Sequence, residues 1–204
     1  MPMKISPRLA VNFKSTFLSC EKDQEAILKK LFVNSKPYSD RLKRLLILNN
    51  PDCLDDTNVE YHRLIDDYPL SRLKSEGYVR VTPRLDLDEH EQMKSYIILS
   101  FDDFIPSPTN PEFTDSSIMF TILCNTDTWE LDDYKLRPYQ IAALIDGIMN
   151  GTKLSGIGTL NFLGATMIIM DERMSGIVLE YSATHESEFK GDEQIPADFS
   201  SDCE

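Results

Sequence analysis

Along the second half of this chain the spacing of apolar residues changes register twice. From Ser116 to Thr128 they run almost unbroken, through Ile118, Met119, Phe120, Ile122 and Leu123, and lead to Trp129. That β-branched and aromatic content predicts a strand. After Arg137-Pro138-Tyr139, Ile141, Leu144, Ile145 and Ile148 fall at the i, i+3, i+4, i+7 spacing of one helical stripe. Ala142 and Ala143 permit close packing on a sheet, and Asn150-Gly151 closes the helix. Two further strands are predicted over Gly158 to Met170 and Ser175 to Thr184, joined by a tight turn at Asp171-Glu172-Arg173. In the second, Ile177, Leu179 and Tyr181 alternate with Val178, Glu180 and Ser182, which is the period of a half-buried strand. Gly164 is read as a bulge or a point of close approach.

The first half reads as helices. Ser19 to Phe32 has Ser19 as N-cap, Glu21 and Asp23 in the first turn and Lys29 and Lys30 in the last. Ser39 to Leu48 has Ser39 as cap. Asn49 to Asn58 is turn chemistry throughout. Short helices follow over Glu60 to Tyr68 and Pro69 to Gly77, the last with Gly77 at its C-terminal cap. Tyr78 to Val81 alternates and is interrupted by Pro83, so it predicts an edge strand or a strand end. Asp86 to Gln92 is an acidic connector, Ser95 to Phe101 a strand, and Ile105 to Glu112, with three prolines, a loop. From Ser187 the composition turns acidic, with only Lys190 opposing it, which predicts a flexible tail. The expected fold class is therefore α+β: a helical N-terminal part, then a small mixed or antiparallel β-sheet with one helix packed across it and a C-terminal hairpin. The expected division is 1–68 for arm and helices, 69–186 for the α+β core and 187–204 for the tail.

Charge narrows the function. A formal net charge of −13 over 204 residues argues against a protein that coats nucleic acid, because phosphate binding needs a basic face. It does not exclude a protein that lets DNA pass without sticking to it, since an acidic wall repels phosphates. The 4 cysteines are scattered with no CxxC, so free thiols in a reducing compartment are expected and a zinc site is not. The start lacks an apolar signal region, and no run approaches the ~20 apolar residues of a membrane span. Asp52, Asp55 and Asp56 resemble a calcium loop only loosely, lacking the central Gly and the final Glu. Lys153 to Gly158 contains glycines but follows a helix, so it is no phosphate cradle. His62, His90 and His185 lie far apart, and no HExxH, GxSxG or Walker loop occurs. No catalytic, cofactor or metal residues are expected, and the chain is read as no enzyme.

Interaction residues are the remaining candidates. Arg41, Lys43 and Arg44 form a basic cluster, read either as a solvated helix face or as a contact patch for an acidic partner. Trp129, the sole tryptophan, is a sheet-end anchor or an interface anchor. The edge at Tyr78 to Val81 offers strand pairing to a neighbour. Trp129, Arg137, Tyr139, Arg41, Arg44, Tyr78 and Val81 make up the expected interface set.

The strings Tyr68-Pro69-Leu70-Ser71-Arg72-Leu73, Asn110-Pro111-Glu112-Phe113, Leu136-Arg137-Pro138-Tyr139 and Lys153-Leu154-Ser155-Gly156-Ile157-Gly158 carry a resemblance. Over about Tyr68 to Glu186 the chain resembles head–tail junction proteins of tailed bacteriophages, the tail-terminator and neck-ring proteins. The resemblance implies a six- or twelve-fold homo-oligomeric ring in the virion, assembled in the host cytoplasm. Such a ring stacks between portal and tail tube, and DNA passes through without sequence-specific binding. Two other readings stay open. One is a small acidic binding or inhibitor module with Asp52 to Asp56 and Asp86 to Glu91 on one face. The other is an enzyme in which His62, His90 or His185 converges with carboxylates.

Overall fold

The computed structural model describes residues 13–15, 17, 20–81, 93–106, 113–186 and 188–190. Its centre is the strand β4 (Phe113–Asn125), paired antiparallel along its length with β3 (Ser95–Pro106) on one side and β8 (Met174–Glu186) on the other. A short parallel strand, β2 (Val79–Arg80), adds to β3, and β7 (Asn161–Ile169) adds antiparallel to β8. The five-stranded order is β2-β3-β4-β8-β7. A separate two-stranded piece joins β1 (Phe13–Ser15) to β9 (Glu188–Lys190).

The period of two divides the sheet into faces. Ile118, Phe120, Ile122 and Cys124 of β4 stand beside Ile97, Leu99 and Phe101 of β3 and Ile177, Leu179 and Tyr181 of β8. Onto this face fold α1 (Cys20–Phe32), α2 (Tyr38–Ile47) and α5 (Arg137–Met149), contributing Ile27, Leu31, Leu42, Leu45, Ile141 and Ile145 to one core. α3 (Val59–Asp66) and α4 (Leu70–Ser75) close its flank. That core runs across residue 68, so the N-terminal helices and the sheet are one packed unit. On the opposite face Tyr96, Ile98, Leu123 and Met174 form a smaller cluster. The α+β architecture, its helical first part, mixed sheet, crossing helix and final hairpin are all present.

Several local details differ from expectation. The β3–β4 hairpin extends into the segment read as a proline loop, with Ile105 opposite Asp115 and Pro106 opposite Thr114 beyond a bulge. An antiparallel register already fixed by Ile97 to Phe101 carries the chain on, and proline is tolerated at the strand's last residue. Ser39 does not cap α2. Pro37 precedes the helix without a side-chain cap, and Ser39 is buried inside its first turn. Ser19 and the tail beyond residue 190 lie outside the described residues. Lys153 to Gly158 is a small hairpin of β5 (Lys153–Leu154) and β6 (Gly158–Thr159). Gly164 sits at the expected bulge, where the β7–β8 register shifts after Phe162.

The connection between α2 and α3 is held by an arginine from elsewhere in the chain. Arg137, at the start of α5, is 0% exposed. Its guanidinium donates to the carbonyls of Leu45 (2.8 Å), Leu48 (2.6 Å) and Asn50 (3.2 Å), and its Nε to Thr128 O (2.7 Å). Leu45 and Leu48 belong to the end of α2, where a helix leaves carbonyls without helical partners and a cation complements its dipole, whereas Asn50 lies in the following loop and Thr128 in the turn after β4.

Arg137→Ala strands those carbonyls, since an unsatisfied buried group costs about 1–3 kcal/mol. Denaturant unfolding should show a loss above about 3 kcal/mol; unchanged stability would refute the role given to Arg137. Gly176→Ala should also destabilise, by about 2–3 kcal/mol in the same assay. A Cβ at Gly176 would stand 1.8 Å from Ile122 O, so β4 and β8 would have to part.

Candidate functional site

The helical layer crosses β3, β4 and β8 and leaves β7 bare. Phe162, Met167 and Ile169 pair across to Tyr181, Ile177 and Ser175, so they face the helix side of the sheet. They are nonetheless exposed, Ile169 by 73%, as are Leu163 and Met170. The 9 residues of β7 (NFLGATMII) contain no charge and no proline. Edge strands ordinarily carry one or the other to block further pairing. Here only the bulge between Phe162 and Gly164 interrupts the edge.

Beside β7 lies an open cleft of about 550 Å³. Trp129, Leu136, Met167 and Ile169 form its apolar lining, and Asp127, Glu130, Asp171 and Glu172 line it with carboxylates. Among the described residues no lysine or arginine lines it. Trp129 is fixed there by the turn that ends β4. Asn125 Oδ1 accepts from the Asp127 amide (2.9 Å), Thr128 Oγ1 donates to Asn125 O (2.9 Å), and the indole Nε1 donates to Cys124 O (3.4 Å). The Arg137 amide then donates to Trp129 O (2.7 Å). Between them the chain loops out through Asp133 and Tyr134, both in the left-handed region (φ 59 and 60), and Tyr134 projects wholly into solvent. Non-glycine residues held at such φ store strain and gather at functional surfaces. A second, smaller cleft of about 230 Å³ lies between Pro51, Leu54, Leu131 and their neighbouring aspartates.

The expected interface set divides. Trp129 lines the cleft, and Tyr139 is half-exposed on the first turn of α5. Arg137, Arg44 and Tyr78 are buried and present nothing to a partner. Arg137 is occupied as described. Tyr78 packs edge-on against Tyr68 with ring centroids 6.3 Å apart. Val81 is half-buried.

The basic cluster of α2 is not a free patch either, because the loop Asn49 to Asn58 folds back over it. Arg44 Nη1 reaches Asp56 Oδ1 (3.0 Å) and Asp55 O (3.3 Å), and Nη2 lies 3.3 Å from His62 Nδ1. Arg41 pairs with Asp56 as well. Its hydrogen bond, with the charge of both arginines, holds the Asp56 carboxyl below the ordinary carboxylate range. Burial pushes the Lys43 amine below its usual value. The acidic stretch Asp52 to Asp56 is thus partly spent on internal pairing, while Asp86 to Glu91 and His90 lie outside the described residues.

His185 does converge with a carboxylate, through partners that no local pattern names. His185 Nδ1 lies 2.6 Å from Asp23 Oδ2, and its Nε2 lies 2.5 Å from Ser116 Oγ. All three are buried, with the Phe101 and Phe104 rings 5.9 Å from the imidazole. The contact order is that of a nucleophile, its base and an orienting carboxylate. However, Ser116 stands in the middle of β4 opposite Ala183, and neither cleft is lined by any of the three. The geometry suits a polar tie that fastens α1 to the sheet. Asp23 and His185 are 162 residues apart, so no local signal could have paired them. Among the described residues no group of three His, Cys, Asp or Glu side chains is arranged to hold a metal ion, and no helix is long and apolar enough to cross a membrane.

No curated protein matches the chain. A family profile described as YomW matches residues 39–183. The matched span contains α2 but for its first residue, Arg137, the five-stranded sheet except the last residues of β8, and every described residue lining the cleft. It covers well over half the sequence, and the chain therefore belongs to the YomW family, which is phage-associated.

Proposed function

We propose that this protein is a structural component of a bacteriophage particle, without enzymatic activity, that forms a ring at the head–tail connector around the DNA channel. The reading rests on one observation: an uncharged, solvent-exposed edge strand bordering a cleft lined by apolar residues and carboxylates, in a chain of net charge −13. A contiguous exposed apolar surface on an otherwise charged protein marks a contact made elsewhere. If that contact is heterologous and the rotation between subunits fits, a ring closes. The surplus negative charge suits the lining of a channel for DNA, which would slide without adhering. Portal and tail-tube proteins are the neighbours such a ring would have, in the virion after assembly in the host cytoplasm.

The mass of the purified protein across a concentration series, with negative-stain imaging of large species, tests this. Closed rings are expected, formed alone or on addition of portal protein. A strict monomer indifferent to portal and tail proteins would overturn the reading. Ile169→Lys should abolish assembly at concentrations where the unaltered protein is fully assembled, with melting moved by no more than a surface change does, within about 0.5 kcal/mol. The non-enzymatic part has its own check. An organophosphonate that phosphonylates activated serines, with loss of its leaving group, should leave Ser116 unmodified in the folded protein; labelling there would make the buried Asp23–His185–Ser116 contact a catalytic one.

A further inference from the structure

We propose that the cleft beside β7 is filled by residues 1–12 of a second copy of this chain. The proposal rests on the assembly reading above and names the contact that would make it.

Charge selects the occupant. Among the described residues the cleft is lined by four carboxylates and no lysine or arginine. Residues 1–12 (MPMKISPRLAVN) carry Lys4 and Arg8 and no acidic residue, in a chain where acids outnumber bases 34 to 21. The other terminal stretch, residues 191–204, carries five acids and no lysine or arginine, so the lining would repel it. Shape and polarity agree. Ile5, Leu9 and Val11 offer apolar side chains to Trp129, Leu136, Met167 and Ile169. Pro2 and Pro7 bias the residues before them toward extended backbone, the form that lies along a groove or an open strand edge.

Position selects the second copy over the first. The cleft lies at the Ser175 end of β8. β1, which follows residues 1–12, pairs with β9 just past the Glu186 end. Those ends are about 36 Å apart along an extended strand. A chain's own residues 1–12 would have to run back almost fully stretched along its sheet to enter its own cleft. Donor and acceptor at opposite ends of one subunit instead make a head-to-tail contact, the kind that propagates into a ring.

A charge swap in the full-length protein tests this, with sedimentation and Trp129 emission as readouts. Trp129 is the only tryptophan, so emission reports the cleft alone. The exposed Glu130 and Glu172 are the acidic positions changed. K4E/R8E should weaken self-association about tenfold, E130K/E172K likewise, and the four changes in one chain should restore it. Emission should move to shorter wavelength as the unaltered protein assembles, and fail to move with K4E/R8E. Three results would overturn the proposal. If K4E/R8E assembles like the unaltered protein, these residues are not the occupant, and the ring reading stands. If the protein stays monomeric, with emission independent of concentration yet altered by K4E/R8E, the segment sits in its own cleft. If it stays monomeric with emission unaffected by K4E/R8E, both this contact and the assembly reading fall.

Discussion

Arg137 is the constraint on which the rest depends. Its guanidinium joins the end of α2, the loop after it and the turn after β4. Each of those carbonyls would otherwise have to be hydrated, and hydrating them would open the core between α2 and α5. The Arg137 amide also holds Trp129 O, so the same residue that seals the interior sets the position of the indole in the cleft. A charge is tolerated at that depth because it meets the negative ends of backbone dipoles and sits at the dipole end of a helix.

A second polar tie does similar work at the other end of the sheet. The Asp23–His185–Ser116 contact pins α1 to the strands where β8 begins to leave the core. Apolar packing alone is non-directional and would allow α1 to slide, whereas two buried hydrogen bonds fix one register. Between these ties the helices cover the middle of the sheet and leave its last strand uncovered.

The sequence was legible where a period governed the outcome. The stripe of α5, the alternation in β8, the bulge at Gly164 and the α+β class all follow from spacing. It was misleading where a side chain's partner lies far along the chain. Arg137 and Arg44 were read as surface residues because arginine usually is, and only the fold shows which carbonyls and carboxylates enclose them. Asp23 was read as a dipole-favouring residue in a first turn, and its histidine is remote. β7 misled in the opposite sense. Its uncharged residues predict a strand, and nothing local reports that its apolar side chains stay exposed. The candidate site was therefore only partly visible: Trp129 by residue type, but not the exposure of Met167 and Ile169 or the left-handed backbone at Tyr134.

The hydrogen bond from the Arg137 amide to Trp129 O has a genetic consequence. It ties the wall of the cleft to the seal of the interior, so inheritance would not keep the two apart. A screen for loss of function would recover Arg137 alongside surface positions such as Ile169, although Arg137 is itself buried. Partial revertants of an Arg137 lesion should then arise as often from changes that stabilise the fold at large as from changes at the contact itself.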